Sequence, residues 1–295
     1  MNNKTTIAVD LGGTWMRAAL IGKDGVCLKP LIRKPTGRQR PPDAIIGDLV
    51  TLVAEAVSAN NQGDKAAIAG VALGVATVID SDGRLVACDN LPTLGGVALG
   101  HEVETRMGGS RPVKLFNDAA CFTVGEWRHG IGKGARFFCG VTLGTGIGMR
   151  FMADGRVISG CRGMAGEIWK SPLEKEHVEY YASGVGLTRL FKAKTGRDIS
   201  GEDIQALAEQ GNPDALAVFA EFGFHLGETL AWVVNCFDPD AIVLGGSVAQ
   251  AFALFAPSMR SAMTRYCAYD VHARVAVSIL GDQAALIGAA ILFNQ

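Results

Sequence analysis

A strand that runs into a glycine turn and returns as a second strand occurs twice in this chain, and this unit limits the folds open to it. Thr6-Ile7-Ala8-Val9-Asp10-Leu11 is an apolar-rich run of strand length. Gly12-Gly13-Thr14 turns it, and Met16-Arg17-Ala18-Ala19-Leu20-Ile21 brings it back. Phe137 to Leu143, then Gly144-Thr145-Gly146-Ile147-Gly148, then Met149-Arg150-Phe151-Met152 repeat the pattern. With Asp10 set against Thr142, Val9 falls on Val141, Leu11 on Leu143 and Gly12 on Gly144. These identities propose two similar sheet-containing domains with the same opening. A dinucleotide fingerprint needs a helix after its glycines. Here a strand follows, which disfavours a Rossmann dehydrogenase.

Around these units the periodicity places further elements. Lys23-Asp24-Gly25 is a second hairpin turn, with Val26-Cys27-Leu28 after it. Residues 29–42 carry Pro30, Pro35, Pro41 and Pro42 and are expected to form a loop. A helix from about Asp43 to Ala59 has Ile45, Leu49, Leu52, Val53 and Val57 as its apolar stripe. A strand is expected over Ala67–Leu73 and a loop from Gly74 to Gly96. Val113 to Phe116 is a short strand that delivers Asn117 and Asp118 to its end, and Ala119–Arg128 reads as helix. Phe219, Gly223, Leu226, Leu230, Val233 and Phe237 mark a long amphipathic helix that Asp238-Pro239 ends. Ala241-Ile242-Val243-Leu244 is then a buried strand, and Gly245-Gly246 turns into another helix. The last helix, about Asp282 to Phe293, is apolar on nearly every face and should pack between other elements.

Composition sets outer bounds. Hydrophobic residues are 48% and charged residues 19% of 295, the balance of a chain that buries a core. With 28 basic and 29 acidic residues there is no electrostatic footprint for nucleic acid or an anionic membrane. No signal peptide is read ahead of the first strand, and charges such as Asp48, Glu55 and Asp282 break the most apolar stretches, so a cytoplasmic protein is expected. The seven cysteines contain no Cys-x-x-Cys pair, which argues for free buried thiols and against a cysteine-built zinc site.

Asp10-Leu11-Gly12-Gly13-Thr14 carries two readings. Successive glycine-turn amides attract anions, Thr14 adds a hydroxyl, and the Asp10 carboxylate suits hydrated Mg2+ beside phosphates. The same residues also make an ordinary hairpin turn. Leu143-Gly144-Thr145-Gly146-Ile147-Gly148 is weak alone, and Leu244-Gly245-Gly246-Ser247 is a third such turn, placed to approach a base or ribose. Three in one chain, two of them related, carry more than any one.

Taken with Asn117-Asp118-Ala119, Gly166-Glu167, Glu179 with Ser183-Gly184, and Asp238-Pro239-Asp240 before Leu244-Gly245-Gly246, the turns fall in the order seen in the ROK family, and the chain resembles that family along essentially its whole length. The family holds bacterial glucokinases, fructokinases, N-acetylhexosamine kinases and sugar-responsive repressors. The resemblance implies an α/β, actin-like or hexokinase-like (ribonuclease H-like) fold of two domains with an interdomain cleft. The expected small domain is 1–118 plus 282–295, and the larger is 119–281. It implies ATP and Mg2+ as cofactors, a small hexose as substrate and a homodimer. By resemblance Asp118 is the general base; Asn117, Asn90, Glu167, Glu179 and Lys170 face the sugar; Asp10, Gly12, Gly13, Thr14, Gly144, Thr145, Gly146, Gly245 and Gly246 hold the nucleotide and its metal. Read from the residues alone, Asn117-Asp118 before Ala119 is also good helix-capping chemistry, and both roles can coexist.

The chain departs from the family pattern in three places. Where many members have Gly-Glu-x-Gly-His and a cysteine cluster that binds structural zinc, this chain has Gly166-Glu167-Ile168-Trp169-Lys170. Only eleven residues separate Glu167 from Glu179, with no cysteine among them, so no structural zinc is expected. Lys170 is a donor only, whereas a neutral histidine also accepts; it can contact a sugar hydroxyl, pair with a carboxylate or point to solvent. Ala76-Thr77 stand where Pro-Gly is common, and Ala120 replaces the second asparagine of Asn-Asp-Ala-Asn. Two functions are carried forward: an ATP-dependent hexose kinase, and a sugar-binding sensor of the same family without catalysis. Nine residues precede Asp10, too few for the helix-turn-helix domain of the repressors. A chaperone-like ATPase is disfavoured because no appended peptide-binding domain fits in the length.

Overall fold

A computed structural model describes residues 5–28, 31–58, 68–86 and 88–295. The chain forms two units. The first runs through Lys133 and takes in Ser159–Ala165 and Asp282–Gln295; the second is Gly134–Ile158 with Gly166–Gly281.

In the first unit, β1 (Thr5–Leu11), β2 (Trp15–Ile21) and β3 (Ile32–Pro35) form an antiparallel meander. α1 (Pro42–Ser58) follows, then β4 (Ile68–Val75), α2 (Leu99–Arg106), β5 (Val113–Asn117) and α3 (Asp118–His129). The sheet order is β3-β2-β1-β4-β5, with β1, β4 and β5 parallel. Pro42 and Asp43 suit the start of α1, and Ile45, Ile46, Leu49, Leu52, Val53 and Ala56 bury its inner face on the sheet.

The second unit contains β6 (Phe137–Leu143), β7 (Ile147–Ala153), β8 (Arg156–Ile158), the short pair β9 (Pro172–Leu173) and β10 (Glu176–His177), α4 (Val178–Tyr181), α5 (Gly184–Thr195), α6 (Gly201–Glu209), α7 (Pro213–Phe237), β11 (Ala241–Gly245), α8 (Phe252–Tyr266) and β12 (Arg274–Val277). Its main sheet has the order β12-β11-β6-β7-β8. β6, β7 and β8 are an antiparallel meander, and β11 and β12 run parallel to β6. This is the topology of the first sheet strand for strand. The register read from Val9 and Val141 carries β1 onto β6 and β2 onto β7 end to end. α9 (Gln283–Phe293) closes the chain in the first unit.

Two elements go beyond the sequence reading. The third strand of the first meander is Ile32–Pro35, inside the segment read as a loop, while Cys27 makes a single bridge to Ile21. β3 is an edge strand, where a proline at the end removes no ladder bond. α2 was not expected at all: its short sequence, Leu-Gly-His-Glu-Val-Glu-Thr-Arg, buries only Leu99, Gly100 and Val103 and shows little periodicity. α3 falls in the first unit, which runs through Lys133. The ends expected at Ala59 and Ala67 lie outside the described residues, as does the segment before Thr5.

α3 joins the first unit through α9. A side chain at Gly125 would strike the carbonyl of Ala284, and one at Gly288 the carbonyl of Cys121. The two helices therefore pack backbone to backbone, which a glycine at each contact allows. Asp240, in the second unit, receives the Arg136 and Phe137 amides on Oδ2 at 2.8 Å each and so fixes the start of β6. Of the cysteines, Cys88, Cys121 and Cys139 are buried as expected, but Cys161 and Cys236 are exposed. Among the described residues no helix is long and apolar enough to cross a membrane.

Two glycines should respond oppositely to alanine. Gly288→Ala leaves the new methyl no space and should lower stability by about 3 kcal/mol, at the upper end of overpacking effects. Gly47, exposed on α1 with open space at its Cβ position, should gain about 0.5–1 kcal/mol on the same change. Calorimetric melting of both variants beside wild type checks the pair of signs.

Candidate active site

In the first unit the parallel strands end level. Leu11 pairs with Val75 and Val75 with Asn117; Asp10 pairs with Gly74 and Gly74 with Phe116. The carboxyl ends of parallel strands are where open α/β sheets bind ligands. Here they bring Asp10, the Gly12–Thr14 turn and Asn117-Asp118 to one edge of the sheet.

The Gly12–Thr14 turn is closed by Gly12 N–H donating to Trp15 O at 3.0 Å, and Thr14 O accepts from Thr36 N–H at 2.9 Å. A Cβ on Gly13 would lie 2.7 Å from Asn90 O, so the Asn90 loop rests against the turn. Asp10 faces Arg17 across the hairpin, with Nη1 donating to Oδ2 at 3.1 Å. Burial raises the Asp10 pKa from its ordinary value, and it outweighs the opposing pull of Arg17. Arg17 was not foreseen, although the register of a tight hairpin places it opposite Asp10.

The capping role falls to Asn117. Its Oδ1 accepts from Ala120 N–H at 3.0 Å, and its Nδ2 donates to Thr77 O at 3.2 Å. This ties the Ala76-Thr77 loop to the end of β5. Asp118 is the first residue of α3, where the helix dipole favours a carboxylate, and its Oδ1 accepts from Ala119 N–H at 2.8 Å. Burial, and after it Asp118 and Asp10, push the Cys121 thiol well up. Two carboxylates far apart in sequence are thus within electrostatic reach of one sulfur. The Cys88 thiol is pushed up to about 11, mainly by burial, with Asp118 and Asp89 adding to it against a backbone hydrogen bond at Leu91. Both thiols stay protonated and inert at neutral pH.

In the second unit, Gly144 N–H donates to Gly146 O at 3.0 Å in the β6–β7 turn. Gly184 and Val185, at the start of α5, donate to Gly144 O at 2.8 Å and Thr145 O at 3.2 Å. Glu179 lies under the same turn: its Oε2 accepts from Ile147 N–H at 3.1 Å, and a side chain at Gly146 would strike that oxygen. The third turn lies alongside. Gly246 has φ +87°, and its Cβ position is filled by Leu143 O, so glycine is required there twice over. A cavity of about 260 Å³ opens between Gly144, Thr145, Gly184 and Val185 on one side and Ser247 and Val248 on the other, with Glu202 and Gln205 of α6 in its wall.

Glu167 is held on both oxygens. Arg150 Nη2 donates to Oε1 at 2.6 Å and Trp169 Nε1 to Oε2 at 2.9 Å. Lys170 is exposed, with its ammonium 4.7 Å from the Trp169 ring centroid. Glu179 N–H donates to Trp169 O at 3.0 Å, so the two candidate carboxylates share one stretch of hydrogen-bonded backbone. Arg150 and Trp169 were not read as site residues. A charge inside the apolar run Met149–Met152 was the available signal for Arg150. Among the described residues no group of three His, Cys, Asp or Glu side chains could hold a metal ion.

Comparison with known proteins places this arrangement. A glucokinase of Streptomyces coelicolor is 29% identical over 321 aligned positions, covering 98% of each chain. An N-acetyl-D-glucosamine kinase of Aliivibrio salmonicida is 30% identical over 244, covering 75% of this chain and 80% of that one. A ROK family glucokinase from Streptomyces griseus, solved with glucose and AMPPNP, superposes with a TM-score of 0.84 at 28% identity over 98% of each chain. The ROK family model matches residues 6–295, nearly the whole chain, and the two sheets with their level strand ends are the hexokinase-like, actin-like fold of those structures. The chain belongs to the ROK family.

Proposed function

We propose that the protein transfers the γ-phosphoryl group of ATP to a hydroxyl of a hexose, with Asp118 as general base. The observation that carries this is the edge of the first sheet, where Asp10 and the Gly12–Thr14 turn at the end of β1 stand level with Asp118 at the end of β5, through the register of β4 between them. The sugar kinases among its relatives, and the glucose and AMPPNP held by the Streptomyces griseus enzyme, support the reading.

Phosphoryl transfer asks a protein chiefly for positioning and charge stabilisation. The sugar hydroxyl oxygen forms a bond to the γ-phosphorus as the bond to the bridging oxygen breaks. ADP leaves with that electron pair, and the hydroxyl proton passes to the Asp118 carboxylate. Asn117 and Asn90 orient the sugar beside the base. Glu167 and Glu179 accept from ring hydroxyls, and Lys170, a pure donor, serves an acceptor oxygen. Gly12, Gly13, Thr14, Gly144, Thr145 and Gly146 approach the phosphates by backbone. The cavity beside Gly144 and Ser247 receives the nucleoside, and Gly245-Gly246 turn the chain into Ser247 of its wall. Asp10 keeps 18% of its side chain accessible, and Arg17 engages its Oδ2, so a water-mediated hold on Mg2+ fits the donor present. When bound, the ion neutralises phosphate charge.

Two measurements test this. ADP release with a panel of hexoses should be sugar-dependent in wild type, and Asp118→Asn should lower kcat by roughly 10²–10⁴. Full turnover in that variant, or no hexose that stimulates ADP release, would overturn the assignment. The second concerns Asp10. Its folded pKa lies above the unfolded one, so the fold prefers the neutral form and loses stability as pH rises through the folded value. Asp10→Asn should therefore melt higher than wild type at pH 7–8, with the gap closing toward pH 4, while its KM for MgATP rises. A gap independent of pH would assign the effect to packing instead.

A further inference from the structure

Arg150 is a cation with almost no access to water: its side chain is 4% exposed. It stands in β7 opposite Gly140, whose missing side chain leaves that face of the sheet free for a long residue. A buried guanidinium must be paired, and its hydrogen bonds bear on one place. Nη1 donates to Met149 O at 2.8 Å, and Nη2 to Glu167 Oε1 at 2.6 Å. The loop that carries Glu167 is fixed to the same strand. Gly166 has φ +92°, and its Cβ position is filled by Met149 O, so only glycine brings the backbone this close to β7. Trp169 closes the arrangement through Nε1–H to Oε2 at 2.9 Å, and Lys170 lies over its ring.

Glu167 differs from its partner in one respect: 20% of its side chain stays exposed while Arg150 is sealed beneath it. One lone pair of each oxygen is spent on a protein donor, and the carboxylate keeps acceptor capacity on its open side. Partial exposure spares Glu167 some of the desolvation cost that Arg150 bears, and it leaves the open side able to accept from a ligand. We infer that Arg150 and Trp169 are positioning residues that fix Glu167 in one orientation as a rigid double acceptor for two hydroxyls of the hexose. The inference rests on the reading of Glu167 as a sugar-gripping carboxylate. An acceptor clamped at both oxygens has little rotamer freedom left to lose on binding, which is the gain preorganisation offers. The groups act on sugar binding and not on the transferring phosphoryl, so the effect belongs in KM for the sugar.

The experiment measures hexose Kd by calorimetry, together with KM for hexose and for ATP and kcat, in wild type, Arg150→Lys, Trp169→Phe, Glu167→Gln and Arg150→Lys/Glu167→Gln. Lysine keeps the charge but lacks the planar fork. Arg150→Lys should raise hexose Kd and KM roughly tenfold, with KM for ATP unchanged within about twofold. Trp169→Phe keeps the ring and loses the N–H, and should move hexose KM the same way by roughly threefold. The double variant should bind hexose no worse than Glu167→Gln alone, because Arg150 acts through Glu167. Hexose Kd and KM unchanged in both Arg150→Lys and Trp169→Phe would overturn the inference; so would multiplying effects in the double variant, or an equal rise in KM for ATP. If Arg150→Lys does not fold, Trp169→Phe with Glu167→Gln decides by the same criteria. Wild type that binds hexose without turning over removes the kinase reading while the Kd series still judges Arg150. Wild type that binds no hexose removes both.

Discussion

The register of three parallel strands governs the site. Because Leu11, Val75 and Asn117 are hydrogen-bonded neighbours, the residues just beyond them leave the sheet at one level. A slip of one residue in β5 would exchange its two faces and carry Asp118 away from Asp10. Burial enforces the register: Val9, Leu11, Leu73 and Val75 are sealed in the core below α1 and α2. On the other face, small residues (Ala8, Ala72 and Gly70) admit α9, whose Phe293 ring fills the Cβ position of Gly70. Core packing therefore aligns the polar groups, and no direct bond between Asp10 and Asp118 is needed.

The second unit reaches the same end with different side chains. Its strands follow the same order, but the turn after β6 is stabilised from outside, by the first amides of α5 and the carboxylate of Glu179. The Gly12 turn instead closes on its own hairpin through Trp15. The repeated backbone plan thus sets where a loop can approach a ligand, and the side chains around each turn distinguish the two. In the first unit these are a half-buried carboxylate and its arginine; in the second they are an open cavity and a carboxylate bonded to the turn.

Much of this was legible in the sequence where the signal was local. The two strand–turn–strand units, the long helix that ends at Asp238, with φ +48°, and the apolar last helix follow from period and turn chemistry. What stayed hidden was nonlocal. α3 looks like the start of a second domain until its contact with α9, more than 150 residues later, is seen. Pro35 argued against a strand because a sequence does not say which strand is at the edge. The division of labour between Asn117 and Asp118 was open for the same reason. Either residue can cap a helix, and only the bonds from Ala120 N–H and to Thr77 O commit Asn117 to it.

Buried charge separates structural pairs from candidate working ones by the same reasoning. His225 Nδ1 lies 2.9 Å from Glu228 Oε2 on α7, with Tyr181 stacked on the imidazole and both side chains nearly sealed at 11% and 12% exposure. Glu126 is sealed too, and its Oε2 receives Ile131 N–H beyond the end of α3. Those groups are more closely enclosed, and the bonds they make lie within their own helix or at its end, where they hold the fold. Asp10 with Arg17, and Glu167 with Arg150, are built otherwise: the carboxylate of each pair keeps a fifth of its side chain open. Desolvating a carboxylate only in part and anchoring it with a cation limits the desolvation cost and keeps an acceptor oxygen facing outward. Under the proposed function Asp10 serves the metal and Glu167 a sugar hydroxyl, each from a carboxylate that its arginine holds in place.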